Sequence, residues 1–284
     1  MSQGPTSPFD STFAPFVPKP PADGNWAAPP EANLRYMRSI EYVFENPQWL
    51  MNVIWILLCS IVAGIVPVLP QMVLIGYQFE VVEALLHSRG SFYPNFETNR
   101  ISDYLTRGVW VFLASLLASI AIILALLTMI GLIFLAAFGL ISALSEDAAP
   151  VIVPVMVITG AVIIIAAGIV ANMVIVPIIL RAGLSQDFGQ AFDFAWVKDF
   201  IAKTWLSMIA RGLFAMFAGM ALLFVGLLAC GVGYLVAIGV LQLMQCYLLF
   251  QLYAEYLSKG GTPVQLKPRM APQMATAPGQ FPQQ

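Results

Sequence analysis

The stretch VWVFLASLLASIAIILALLTMIGLIFLAAFGLISAL, Val109 to Leu144, decides the fold. Its 36 residues carry no charged side chain. As a helix at ~1.5 Å per residue it would reach ~54 Å, whereas about 20 residues already cross a ~30 Å hydrocarbon core. The whole chain agrees with this stretch. Of its 284 residues 60% are hydrophobic and 10% charged, and mean hydropathy is +0.83. A soluble domain has about 45–50% apolar and about 25% charged residues, and folding could not hide so much apolar surface from water. The expectation is an all-α, polytopic helical membrane protein, which rules out a water-soluble enzyme fold as its main body. A net charge of −2 and a pI of 5.4 leave no electrostatic footprint for nucleic acid.

Working outward, four further apolar stretches stand out: Trp49 to Val66, Gln71 to Leu86, Pro150 to Leu180, and Gly212 to Leu252. The last holds Cys230-Gly-Val-Gly-Tyr234, whose glycines suit a turn, so it reads as two helices over 212–229 and 233–256. Lys and Arg gather before Trp49, at 87–108, at 181–211 and in the C-terminal tail; the 145–149 loop holds Glu146 and Asp147 and no basic residue. Basic loops stay in the cytoplasm. About six membrane segments in three hairpins satisfy that rule, with Val66-Pro-Val-Leu-Pro70 as the first tip, 109–144 as one long helix, and both termini cytoplasmic at the cell (inner) membrane. The 71–86 segment is short and holds Glu80 and Glu83, so it either spans or dips and returns. Gly131 and Gly139 are candidate bends in 109–144.

Residues 1–32 and 261–284 read as Pro-rich and Pro/Gln-rich disordered tails around a helical membrane domain at 33–260. Eight of the twenty prolines fall within residues 1–30, and proline removes backbone donors and restricts its neighbours. No cleaved signal peptide is visible, so the first membrane helices are expected to direct insertion. Cys59, Cys230 and Cys246 sit in apolar runs without C-x-x-C spacing and read as inert thiols. Two cytoplasmic interfacial helices are expected. One is Asn33 to Asn46; the other is Ser185 to Trp205, where Phe188, Phe192, Trp196 and Phe200 recur every four residues.

The run Tyr42-Val-Phe-Glu-Asn-Pro-Gln-Trp-Leu50, the tip Val66 to Pro70 followed by Gly76-Tyr77, then Pro94-Asn-Phe96 and Leu105-Thr-Arg-Gly108 share an order. That order resembles the domain of unknown function 4013 family of prokaryotic multi-pass membrane proteins, over roughly Arg35 to Gly260. The chain departs from that family's aromatic-acidic-acidic run after the proline, having Phe96-Glu-Thr there. The resemblance implies a membrane location and a helical fold, and it brings no activity.

Catalytic signatures are missing: no G-x-x-x-x-G-K-[ST], no H-E-x-x-H, no G-x-S-x-G. No cofactor or metal is expected, and the partners expected are the lipid bilayer and an unidentified membrane protein. The best polar constellation is Glu80, Glu83 and His87, which project from one helix face, with Glu80 ~15 Å from the tip at Pro70. Arg211 is a candidate partner for Glu80. An intramembrane carboxylate is a functional hypothesis by default. Asn52, Asn172, Gln242, Gln245 and Gln251 suit interhelical hydrogen bonds, and pairs such as Ala114/Ala118, Ala167/Ala171 and Ala215/Gly219 suit close packing. The expected function is a non-catalytic membrane scaffold or accessory component. The alternative is a small transporter or channel that uses Glu80 in the broken first hairpin.

Overall fold

The computed structural model describes residues 35–143, 149–228 and 232–266. Among them every regular element is helical. In order these are α1 (Arg38–Glu45), α2 (Trp49–Ile65), α3 (Leu69–Ser88), α4 (Ile101–Ala143), α5 (Ala149–Ser185), α6 (Phe188–Ala191), α7 (Phe194–Leu228) and α8 (Val232–Ser258), with a single 3-10 turn, Thr98–Arg100, leading into α4. Four of them, α4, α5, α7 and α8, include stretches long and apolar enough to cross a membrane.

The 109–144 stretch is one helix as far as the described residues go, to Ala143. It starts eight residues early, at Ile101, and runs through Gly131 and Gly139 unbroken. Neither glycine has anything within 4 Å of where a Cβ would stand, so no close approach bends the helix there. The interfacial helix expected over Ser185 to Trp205 is a correction. That region folds as the short α6 and then as a single α7 that continues to Leu228. Two aspartates set these boundaries. Asp187 caps α6 by accepting from the Gly189 and Gln190 amides, and Asp193 Oδ1 accepts from the Ala195 and Trp196 amides at 3.1 and 3.2 Å. No glycine or proline follows until Gly212, so nothing separates the aromatic stripe from the apolar run. The N-terminal lead-in is the eight-residue α1, bent by 104° from α2.

α8 is the central element and packs against α1, α2, α3 and α7. Leu243, Met244 and Leu248 on it are fully buried. The α4–α5 hairpin joins this group through α3 and α7. Burial on α4 ends at Ala118; farther along, Leu124, Phe134 and Phe138 stand exposed. The packed chain continues past Gly260. Val264 is buried, its amide donates to the Tyr253 hydroxyl at 2.8 Å, and the Trp196 indole donates to the Thr262 carbonyl at 2.9 Å. The tail expected at 1–32, the rest of the C-terminal tail from 267, and Cys230 lie outside the described residues. Cys59 and Cys246 are free thiols.

Candidate functional site

The site is built where α3 meets α4. Gly76 and Gly108 face each other, and a Cβ on either would overlap backbone: the Tyr104 carbonyl in one case, the Met72 carbonyl in the other. Small residues let helix backbones approach this closely. The approach places Arg100, at the end of the 3-10 turn, and Arg107, on α4, against the α3 glutamates. Arg100 donates to both oxygens of Glu80, from Nη1 at 2.8 Å and from Nη2 at 3.0 Å. Arg107 Nη2 stands 2.5 Å from Glu83 Oε2. Glu80 and Glu83 are 3% and 6% exposed, so both carboxylates are buried as charges opposed by charges. Tyr104 lies between the two arginines in sequence, and the Arg100 guanidinium sits over its ring at 5.5 Å.

Of the four polar residues singled out in the sequence, Glu80 and Glu83 come together against one stretch, the 3-10 turn and the first turns of α4. His87 Nδ1 lies 2.8 Å from the Glu83 carbonyl oxygen on its own helix. Arg211 is the correction. Glu80 pairs with Arg100, and Arg211 donates from Nη2 to Gln245 Oε1 at 3.0 Å instead. Arg211 belongs to α7, which packs on α5 and α8, whereas α3 has α4 beside it.

Sequence reasoning missed Arg100 and Arg107. Their spacing was a usable signal, because i and i+7 share one helix face, as do Glu80 and Glu83 at i and i+3. It also missed a polar clip that fastens the α3–α4 loop. Asn46 Nδ2 and Asn52 Nδ2 both donate to Asn95 Oδ1, at 2.9 and 3.2 Å, and Asn52 Oδ1 accepts the Phe96 amide at 2.9 Å. The Tyr77 hydroxyl donates to the Pro94 carbonyl, and the Tyr93 hydroxyl to the Val43 carbonyl. Burial pushes the Tyr93 phenol up to about 12, which keeps that donor protonated. Phe96 sits among the rings of Trp55, Tyr77 and Tyr104 at 5.1–5.7 Å. Asn95→Ala is expected to cost about 1–3 kcal/mol, because both asparagine amides lose their shared acceptor inside the protein. Thermal melting in detergent measures this; a melt equal to that of the parent would mean that the clip carries no stability.

A second polar place is a cleft of about 450 Å³ at the C-terminal end of α5, with Arg181, Asp193, Trp196, Asp199 and Tyr256 on its walls. Arg181 Nη2 pairs with Asp193 Oδ2 at 2.9 Å, and its guanidinium lies over Trp196 at 5.1 Å.

Residues 59–232 match the model of a family described as Protein of unknown function (DUF4013). The chain belongs to this family. No curated protein and no solved structure matches it. The DUF4013 match takes in the glycine crossing and both Glu–Arg pairs. It begins at Cys59, so Asn46 and Asn52 of the clip, and the Asn-Pro-Gln-Trp entry that carried part of the resemblance, precede the matched residues. The match is narrower than the Arg35 to Gly260 expected from the motifs. In this DUF4013 chain the motifs Gly76-Tyr77, Pro94-Asn-Phe96 and Leu105-Thr-Arg-Gly108 meet one another, being the two sides of the crossing and the loop between them.

Proposed function

We propose that this protein is a non-catalytic integral membrane component, a scaffold or accessory subunit of the cell (inner) membrane with both termini in the cytoplasm. One observation carries the reading: the buried carboxylates are neutralised from within the chain. A relay or ion-binding carboxylate must exchange its proton or its ligand during a cycle. The guanidinium of Arg100 holds both oxygens of Glu80, and Arg107 stands against Glu83. Paired in this way the charges are arranged to hold α3 against α4. The membrane-facing surface is correspondingly apolar, which suits packing with lipid and with other membrane helices.

The small transporter or channel using Glu80 remains as the second reading. It is favoured by the proline-broken tip between α2 and α3 and by the interior polar pairs Gln78 with Gln242 and Arg211 with Gln245. Reconstitution separates the two. Proteoliposomes of the purified protein, loaded with a pH-sensitive dye, are expected to leak protons at the rate of empty liposomes, with Glu80→Gln indistinguishable from the parent. Proton flux in the parent that Glu80→Gln abolishes would overturn the scaffold reading.

A further inference from the structure

We infer that α2 and α3 form a re-entrant hairpin, which enters the bilayer from the face carrying Arg100 and Arg107, turns within that leaflet, and presents the exposed side of α2 to its acyl chains. The argument starts at the glycine crossing, which ties α3 to α4 at a known point on each. From Gly76 back to the start of α3 at Leu69 is seven residues, ~10 Å of helix. From Gly108 forward to the end of α4 at Ala143 is 35 residues, ~52 Å. For the α2–α3 turn and the α4–α5 turn to reach the same membrane face, ~52 Å of α4 would have to climb only ~10 Å. That demands an inclination of roughly 80°, against a usual tilt of about 20° and a range up to about 40°. A turn on the far aqueous face would alternatively leave most of the uncharged Val109–Ala143 run standing in water.

The surface of α4 changes character at the same point. Before the crossing Ser102, Asp103 and Thr106 are exposed, with the Asp103 side chain 65% accessible, which is compatible with water or headgroups. After it the large exposed residues are apolar, and the exposed hydroxyls of Thr128 and Ser142 are satisfied within the helix by the Leu124 and Gly139 carbonyls. The hydrocarbon boundary therefore falls near Gly108, and the α2–α3 turn stands ~10 Å beyond it, within one leaflet of a ~30 Å core. The hairpin has the surface for that place. Leu58, Ile61 and Ile65 on α2 and Val66, Val68 and Leu69 at the turn are all exposed. The 17 residues of α2 reach ~26 Å, short of a ~30 Å core, and α3 carries Glu80 and Glu83.

The test uses single cysteines in a full-length parent with Cys59, Cys230 and Cys246 replaced by serine, and a membrane-impermeant maleimide applied to intact cells and to inside-out vesicles. Ser145→Cys, between α4 and α5, and Ser91→Cys, between α3 and α4, mark opposite faces. Val68→Cys in the turn is expected to stay at the background of the cysteine-free parent in both preparations and to react once detergent is added. Labelling of Val68→Cys in the preparation that labels Ser145→Cys would show a spanning hairpin. Labelling alongside Ser91→Cys would show a hairpin outside the bilayer. Either result overturns the inference. Leu69→Cys repeats the measurement should Val68→Cys fail to fold.

Discussion

Gly108→Ala is expected to destabilise the protein by about 3 kcal/mol or more, near the upper end of what overpacking a core costs. The new methyl group would fall on the Met72 carbonyl oxygen, with the Gly76 amide nitrogen also too close. A flexible side chain could turn away from such a clash; backbone cannot, so α3 and α4 would have to separate. Separation would also pull Arg100 from Glu80 and Arg107 from Glu83, adding exposed or unpaired charge to the packing loss. Gly76→Ala should behave alike, since its methyl would meet the Tyr104 carbonyl. Gly131→Ala is the control: it sits on the same helix with open space around it and should be neutral or stabilising by up to ~1 kcal/mol, because alanine favours helix. Thermal melting of the detergent-purified variants measures all three. A Gly108→Ala melt matching that of Gly131→Ala would refute the crossing.

Arg107→Ala should cost about 3–5 kcal/mol, the penalty for leaving one member of a buried pair uncompensated. Both side chains are under a tenth exposed, at 9% for Arg107 and 8% for Glu83. Removing both charges should be far milder. The double variant Glu83→Gln/Arg107→Gln is expected to recover most of the loss, since desolvating two ions offsets much of what their attraction contributes. The Glu80–Arg100 pair should matter less. The Arg100 side chain is 31% exposed, so water can still solvate it once Glu80 is gone. A double-mutant cycle on each pair reads the coupling directly. If Arg107→Ala and the double variant melt together, Glu83 is not held by Arg107, and the account of the α3–α4 charges fails.

The amino-acid sequence by itself determined the class of fold and most of the helices. Apolar runs and missing charges are local properties, and a segment such as Val109 to Leu144 has few options besides a helix in lipid, where backbone groups must find partners within the segment. The order of the motifs was enough to indicate the family. Glu80 and Glu83 were legible as unusual for the same local reason: a carboxylate within an apolar stretch is expensive wherever that stretch goes. Tertiary structure alone decided which charge meets which. Arg100 and Arg211 carry the same guanidinium group, and the choice between them rests on α4 and the turn leading into it, rather than α7, lying beside the Glu80 face of α3, which two glycines distant in sequence bring about by removing the side chains between two backbones. The Asn46–Asn95–Asn52 clip was hidden likewise, because hydrogen bonds between a helix entry and a loop some fifty residues on depend on where the chain returns. The unequal reach of the hairpins was hidden too: residue counts give the length of each helix, but only the contact of Gly76 with Gly108 says where along those lengths two helices are joined.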